Sequence, residues 1–296
     1  MTDTIAEALA DHFQRFPATP VEATRTAVRR LLLDYLGVGL GGSRTGSGRV
    51  ARQFAAECGG VESATLLGDV RRVPPVHAAF ANAICSHSVE LDDIDVLALF
   101  HFSPPVYSAA IAVAESVGAG GAELVRALAA GCEMMERLSR AANPSLRDRG
   151  FHTTPTCGVF GAAIASALLL KLDREQIVHA LGMAGAQASG LMEMYGPSMQ
   201  KRLNPGPAAR NGVTAAMLAK LGFTGAATIF EGERGFLAAF SDRNDPARLT
   251  VELGRPFRLD IEFKPYSCAR PIHNAIDCAL QIRSRDRPSL DRMSLT

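Results

Sequence analysis

The first 245 residues are dominated by apolar side chains that recur at helical spacing. In the segment 21–36 one helix face carries Val28, Leu31, Leu32, Tyr35 and Leu36. The same spacing predicts further helices over 48–58, 76–90, 105–118, 121–142, 158–171, 174–190, 206–221 and 233–241. Asp173, followed by Gln176 at the capping-box position, marks the start of one of them.

The pattern changes near residue 248. The segments 248–253 and 257–263 alternate between apolar and polar residues, which predicts two strands, and a helix is expected from Pro271 to about Arg283. We therefore predict a mainly α protein. Residues 1–245 would form a large all-helical domain, and residues 246–296 would begin a smaller α+β unit that continues toward another strand.

Composition narrows the class of protein. Aromatic residues make up 6% of the chain and Trp is absent, so the core must be built from Ala, Leu, Val and Gly. The net charge of +1 gives no general basic field, which argues against nucleic acid as a partner. The six cysteines form no C-x-x-C pair and are typical of reduced thiols. The acidic N-terminus does not fit the charge pattern of a signal peptide, and the longest apolar stretch, 158–170, is too short to span a bilayer. We expect a cytoplasmic protein without membrane contact.

Two motif matches point to other functions, but neither fits in detail. Gly37-x-Gly39-x-x-Gly42 fits the dinucleotide-binding fingerprint, but a helical pattern precedes it where that fingerprint requires a strand, so a glycine-rich helix exit is preferred. Asp92-Asp93-Ile94-Asp95 resembles the Mg²⁺-binding motif of prenyl-diphosphate enzymes. The second such motif is interrupted by Pro246, and Arg248 occupies a ligand position.

A metal site is a further alternative for the acidic segment. His87, Glu90, Asp92 and His101 carry the nitrogen and oxygen atoms that several divalent ions accept. A solvated acidic helix end would explain the same residues without a metal. We predict no metal and no cofactor.

Three segments place charged or titratable groups at predicted helix entries. His101 follows an acidic run and precedes Pro104-Pro105, which makes it a candidate acid or base. His152 lies before the helix 158–171, beside backbone N–H groups that attract anions. Lys201 and Arg202 lie in a loop before another helix, where they could bind a carboxylate or phosphate.

Four long segments resemble the MmgE/PrpD family, which includes 2-methylcitrate dehydratase, cis-aconitate decarboxylase and iminodisuccinate epimerase. They are HSVELDD with the following His, the block from GFHTTP to ASGL, the block from KRLNPG to ERGF, and KPYSCARPIHNAID. The resemblance covers nearly the whole chain. It implies an all-helical domain, a smaller α+β lid, an active site in the cleft between them, a homodimer and no required cofactor.

The resemblance also implies which residues form the site. As groups that transfer protons or orient those that do, we predict Glu90, Asp93, His101 and His152. As groups that bind substrate carboxylates, we predict Lys201, Lys264 and His273 from the resemblance, and Arg202 and Arg270 as additional partners. The family's substrates are di- or tricarboxylates, and its reactions break a C–H or C–CO₂ bond next to a carboxylate.

We therefore predict a lyase, either a dehydratase or a decarboxylase. Of these we favour a carbon–oxygen lyase (hydro-lyase) similar to 2-methylcitrate dehydratase. Two alternatives stay open, a dicarboxylate epimerase and an inactive, truncated binding or scaffold homologue. Family members continue well past the length of this chain. Ile94, Phe102 and Asn204 stand where the family usually has Thr, Pro and His, which argues against 2-methylcitrate itself as the substrate.

Overall fold

Helices joined by short loops make up most of residues 3–286, the part of the chain that the computed structural model describes. In chain order they are α1 (Ile5–Gln14), α2 (Glu22–Ser43), α3 (Gly46–Glu57), α4 (Pro75–Ser86), α5 (Ser103–Val117), α6 (Gly121–Ala142), α7 (Ser145–Asp148), α8 (Thr153–Leu169), α9 (Arg174–Ala186), α10 (Gln200–Leu203), α11 (Pro205–Lys220), α12 (Phe236–Phe240), α13 (Ala247–Thr250) and α14 (His273–Asp286). Two short strands, β1 (Ala64–Thr65) and β2 (Arg72–Val73), pair antiparallel. The prediction of a mainly α protein is confirmed.

Helix α8 forms the centre of the core and is buried along its whole length. It packs against α5, α6, α9 and α11, as expected of a helix that is apolar on all sides. Glycine permits the closest of these contacts, since a Cβ on Gly161 would lie 2.7 Å from the carbonyl oxygen of Gly131 on α6. The core is therefore closely packed through small residues, as the composition predicted.

Three central helices begin at the same end of the molecule. The backbone N–H of His101, just before α5, donates to Thr154 Oγ1 in the first turn of α8. The ring of His152, the residue before α8, is bonded to Asn204, which directly precedes α11. The predicted helix entries are thus brought together by the packing of α5, α8 and α11.

Most predicted helices are confirmed, with boundaries shifted by several residues. Asp173 caps α9, and its capping box with Gln176 is formed. Helix α2 extends to Ser43, so the three glycines of the fingerprint lie within its last turns and no strand precedes them. The sequence analysis did not predict α1, although Thr4 and Glu7 form a capping box at its start.

The two predicted strands after residue 248 are wrong. Residues 247–250 form the helical turn α13, and the segment 257–263 makes only one isolated bridge, between Glu262 and Ile94. The alternation of apolar and polar residues in 257–263 reflects packing on the core, since Leu259, Ile261 and Phe263 contact the helices without a neighbouring strand. The predicted helix is confirmed as α14, and residues 287–296 lie outside the described part of the chain.

None of the helices described between residues 3 and 286 has the length and apolar character needed to cross a bilayer.

Candidate active site

The loop between α4 and α5 supplies the acidic half of the candidate site. Its backbone is held in an irregular path, with positive φ at Glu90 (56°) and Leu99 (63°), a conformation that is rare outside glycine. Asp95 stabilises the turn, because its carboxylate accepts from the N–H groups of Leu97 and Ala98 at 2.8 Å each. This loop fixes the carboxylates before α5 against the histidines.

Asp92 lies between two histidine rings. Its Oδ2 is 2.7 Å from His87 Nδ1 and 3.2 Å from His101 Nδ1. His87 and Asp92 are fully buried, and His101 is 9% exposed. Burial opposes a charge on Asp92, but His101, His87 and Lys264 outweigh that effect and hold the pKa of this carboxyl well below its usual range.

The pKa of His101 is lowered to about 4, mainly because the ring is buried. Asp92 opposes this shift, while His87 and Lys264 add to it. His101 Nδ1 also lies against the carbonyl oxygen of Asp93. Because both neighbours of Nδ1 are acceptors, the neutral ring carries its proton there and leaves Nε2 with a free lone pair.

The side chain of Asp93 lies at the start of α5, whereas the sequence analysis predicted that it transfers a proton or orients a histidine. Its side chain accepts from the N–H groups of Phe102 at 2.7 Å and Ser103 at 3.1 Å, at the start of α5. Burial raises the pKa of this carboxyl to about 7, even though the bonds from Ser103 and Phe102 favour the charged form. Only the backbone carbonyl of Asp93 contacts His101. The side chain that contacts both histidines is Asp92. The sequence analysis placed Asp92 in the acidic run before His101 and among possible metal ligands, but did not include it among the predicted site residues.

The cations gather on Glu90. Lys201 Nζ and Arg202 both form ion pairs with Glu90 Oε1, and Arg202 also donates to the His87 carbonyl at 3.1 Å. Burial opposes ionisation of Glu90, but the hydrogen bond and charge of Lys201, aided by His87 and Arg202, lower the pKa of this carboxyl to about 2. Glu90 therefore stays ionised and holds the two cations in place.

Lys264 approaches the same carboxylates from the C-terminal segment. Its side chain is 1% exposed, and its Nζ lies 3.7 Å from Asp92 Oδ1 and 3.9 Å from Glu90 Oε2. Asp34 on α2 adds a further carboxyl, whose Oδ2 is buried without a hydrogen bond. Burial and the charge of Asp92 raise the pKa of Asp34 to about 6, against the effect of Lys264.

His152 completes the group of rings. It is 6% exposed, and its ring centroid lies 6.0 Å from that of His87. Burial, together with the positive charge of Lys201, holds its pKa well below the usual value. The sequence analysis named His87, which lies at the centre of the site, as a possible metal ligand but did not include it among the predicted catalytic or substrate-binding residues. It also did not predict the contact of His152 with Asn204.

Arg270 and His273 lie further along the C-terminal segment. Arg270 pairs with Glu262 at 2.9 Å, and His273 Nε2 lies 3.3 Å from the Cys268 carbonyl. Within residues 3–286, no hydrogen bond or ion pair joins either of them to the three clustered histidines. His273 is nevertheless buried, and its Nδ1 has no hydrogen-bond partner.

His87, Asp92 and His101 are also close enough to hold a metal ion, since one ligand atom from each lies within 4.8 Å of the others. In the described structure both Nδ1 atoms already donate to Asp92 or to the Asp93 carbonyl. A metal bound there would have to displace these protons. The same three side chains could thus form a hydrogen-bonded histidine–carboxylate cluster or, after loss of those protons, bind a metal ion.

A separate cavity of about 450 Å³ lies beside α1 and α6, and no candidate site residue lines it. Its buried polar groups are already paired, because His12 Nε2 lies 2.9 Å from Glu133 and Arg137 Nε lies 2.8 Å from the same oxygen. The chemistry therefore concentrates at the histidine cluster.

Several known proteins are similar to this chain in sequence. A cis-aconitate decarboxylase-like protein of Aspergillus oryzae is 31% identical over 90% of this chain and 59% of its own length. Human cis-aconitate decarboxylase is 31% identical over 86% of this chain and 54% of its own. The cis-aconitate decarboxylase of Aspergillus terreus is 29% identical over 78% and 50%, respectively. The chain thus spans about half to three fifths of these relatives.

Residues 7–249 match the model of the MmgE/PrpD N-terminal domain. This match includes the acidic loop, His101, His152 and the cations at Lys201 and Arg202. Since it extends over the greater part of the sequence, the chain belongs to the MmgE/PrpD family.

Proposed function

We propose that this chain carries the active site of a lyase that decarboxylates an unsaturated tricarboxylate of the cis-aconitate type. The observation that supports it most is the contact of Asp92 with both His87 and His101, next to three cations. The relatives' names indicate decarboxylation, whereas the sequence alone favoured a hydro-lyase. We therefore prefer a carbon–carbon lyase to dehydration or epimerisation.

The charge of the site suits a polyanion. Lys201, Arg202 and Lys264 lie against the carboxylates of Glu90 and Asp92 and bring three positive charges to the site. An ammonium has three N–H donors and a guanidinium has five, so both Lys201 and Arg202 keep donors for a substrate while bound to Glu90. Charge-assisted bonds of this kind are among the stronger hydrogen bonds in proteins.

His101 is the group that we assign to proton transfer. In the free site its imidazole is neutral, with a pKa near 4. Carboxylates of a bound substrate would raise that pKa, because nearby negative charge favours the protonated ring. His101 would then carry a proton on Nε2, while Asp92 stabilises the imidazolium from the Nδ1 side.

The reaction needs one proton for each CO₂ released. The bond between the substrate's methylene carbon and its carboxylate breaks, and the electron pair forms a new C=C bond. The pair of the former C=C bond takes the proton from His101 Nε2, and the ring returns to its neutral form. The products are CO₂ and an unsaturated dicarboxylate.

We further propose that residues 1–245 form the catalytic domain and that residues 246–296 begin a lid over it. The burial of Lys264 against Asp92 supports this division. As the resemblance implies, we also expect a homodimer, which light scattering on the purified protein would test.

A time course by ¹H nuclear magnetic resonance tests the reaction class. The protein is incubated separately with cis-aconitate, 2-methylcitrate and a chiral dicarboxylate, and products are identified directly. We expect consumption of cis-aconitate with loss of one carboxylate. Loss of water from 2-methylcitrate would identify a dehydratase, inversion of the dicarboxylate an epimerase, and no reaction with any substrate a scaffold role; each would refute the proposal.

A further inference from the structure

Asn204 makes three contacts through its amide nitrogen. Nδ2 lies 3.0 Å from His152 Nδ1, 3.3 Å from the Leu191 carbonyl oxygen and 3.2 Å from Met194 Sδ. A carbonyl oxygen only accepts hydrogen bonds, so the atom that faces Leu191 must be the amide nitrogen. The Leu191 carbonyl therefore settles the orientation of the Asn204 amide independently of His152.

This orientation determines where His152 carries its proton. The amide N–H of Asn204 donates to Nδ1, so Nδ1 must offer a lone pair. A neutral imidazole has one protonated nitrogen, which leaves the proton on Nε2. The buried position of the ring keeps it neutral.

His101 is held in the other neutral tautomer, with its proton on Nδ1. Its Nδ1 faces two acceptors, Asp92 Oδ2 and the Asp93 carbonyl, and its lone pair is on Nε2. The two rings therefore present different groups to a ligand. His101 presents a proton acceptor, and His152 presents an N–H donor.

We propose that Asn204 is a positioning residue that fixes His152 in the Nε2–H form, so that His152 donates a hydrogen bond to a substrate carboxylate and takes no part in proton transfer. The role toward substrate rests on the proposed function, whereas the position of the proton does not. A neutral ring whose Nδ1 is already bonded to an amide donor cannot accept a proton there without losing that bond. The proton transfer that the sequence analysis assigned to both rings then belongs to His101 alone.

The substitution Asn204→Asp tests this directly, because it keeps the side-chain shape and replaces the donor with an acceptor. A carboxylate next to Nδ1 would draw the proton to that nitrogen and raise the pKa of His152. The matched control is Asn211→Asp, which adds the same charge on α11 at a residue whose Oδ1 accepts from Arg210 Nε at 3.3 Å. Asn204→Ala removes the donor without adding a charge.

The measurement is a long-range ¹H–¹⁵N correlation spectrum of protein labelled with ¹⁵N-histidine, recorded without substrate. His152 is assigned by the signal lost in His152→Gln. We expect Nδ1 of His152 to be unprotonated in the wild type and in Asn211→Asp, and protonated in Asn204→Asp. In Asn204→Ala both forms should be populated.

Two results would overturn the proposal: a wild-type His152 protonated on Nδ1, or the same His152 form in wild type, Asn204→Asp and Asn204→Ala. Thermal melts identify a variant that fails to fold, and the wild-type spectrum decides the question even then. If the protein decarboxylates cis-aconitate, Asn204→Asp should lower kcat/KM about 100-fold and Asn211→Asp less than about twofold. If His152 carries its proton on Nε2 but the protein does not decarboxylate cis-aconitate, the proposed function is refuted and the role of Asn204 is retained.

Discussion

Asp92 and His87 form a fully buried pair in which the carboxylate Oδ2 lies 2.7 Å from the imidazole Nδ1. The same oxygen lies 3.2 Å from His101 Nδ1. One carboxylate thus orients two rings through their Nδ1 atoms. The arrangement resembles the carboxylate–histidine pairs that hold a catalytic imidazole in one tautomer.

Replacing Asp92 with asparagine should therefore remove the orientation of His101. We expect kcat to fall by about 100-fold or more in Asp92→Asn, because an amide stabilises the imidazolium poorly and can favour the wrong tautomer. Asp69→Asn is the matched control, since Asp69 is ion-paired with Arg52 and Arg71 away from the histidines. Equal turnover in the two variants would contradict the role of Asp92.

The ionisation of His101 can be followed by the chemical shift of its ring protons. In the free protein we expect it to titrate near pH 4, so the ring is neutral at pH 7 and becomes protonated only as the pH falls through that value. Lys264→Met should raise this pKa, because the ammonium disfavours a second positive charge. A bound tricarboxylate should raise it as well. Titration of the free wild-type ring near its ordinary value of 6.5 would be inconsistent with this environment.

Substrate binding should depend on Lys201 far more than on Arg270. Lys201→Met removes a charge-assisted donor from the histidine cluster and should raise KM by about tenfold or more. Arg270 is already bonded to Glu262 and Asn274, so Arg270→Met should change KM less than about twofold. Lys220→Met, at the exposed end of α11, is the control for a lost lysine charge. A larger effect at Arg270 than at Lys201 would restore the sequence-based assignment of Arg270.

The buried carboxyl of Glu136 on α6 should make the stability of the protein depend on pH. Burial raises the pKa of Glu136 from 4.5 to about 8; Arg140 opposes this shift, and Asp95 and Asp260 add to it. Because the folded-state pKa is the higher one, the wild type loses stability as the pH rises from about 5 to about 8. Glu136→Gln does not titrate, so its unfolding free energy relative to wild type should increase by a few kcal/mol over that interval.

Thermal or urea unfolding of both proteins at pH 5 and pH 9 measures this difference. The exposed Glu57→Gln should show no such trend. A Glu136→Gln variant that melts in parallel with the wild type at both pH values would rule out the raised pKa.

The helical architecture could be predicted because periodic apolar segments encode helices locally. The capping box of Asp173 and Gln176 illustrates this, since all of its atoms lie within one turn. The segment 257–263 could not be predicted in this way, because its alternation reflects packing on the core and not pairing with a neighbouring strand.

The site was predictable in its residue types more than in its geometry. His101, His152 and Lys201 were identified from their places before helices and from family resemblance. Asp92 and Asp93 are adjacent in sequence and chemically identical, so only the fold distinguishes the one that contacts the histidines from the one that caps α5. The contact of Asn204 with His152 joins residues 52 positions apart and depends on the packing of α8 and α11.

The most direct test of the proposed activity is the release of CO₂ from cis-aconitate in D₂O by the protein and by its His101→Gln variant. We predict that the wild type releases CO₂ and yields an unsaturated dicarboxylate with one deuterium on the carbon that accepts the proton. His101→Gln should be slower by about 100-fold or more. Equal rates in the two proteins, or no CO₂ release by the wild type, would contradict the assignment of this histidine–carboxylate cluster as a decarboxylase active site.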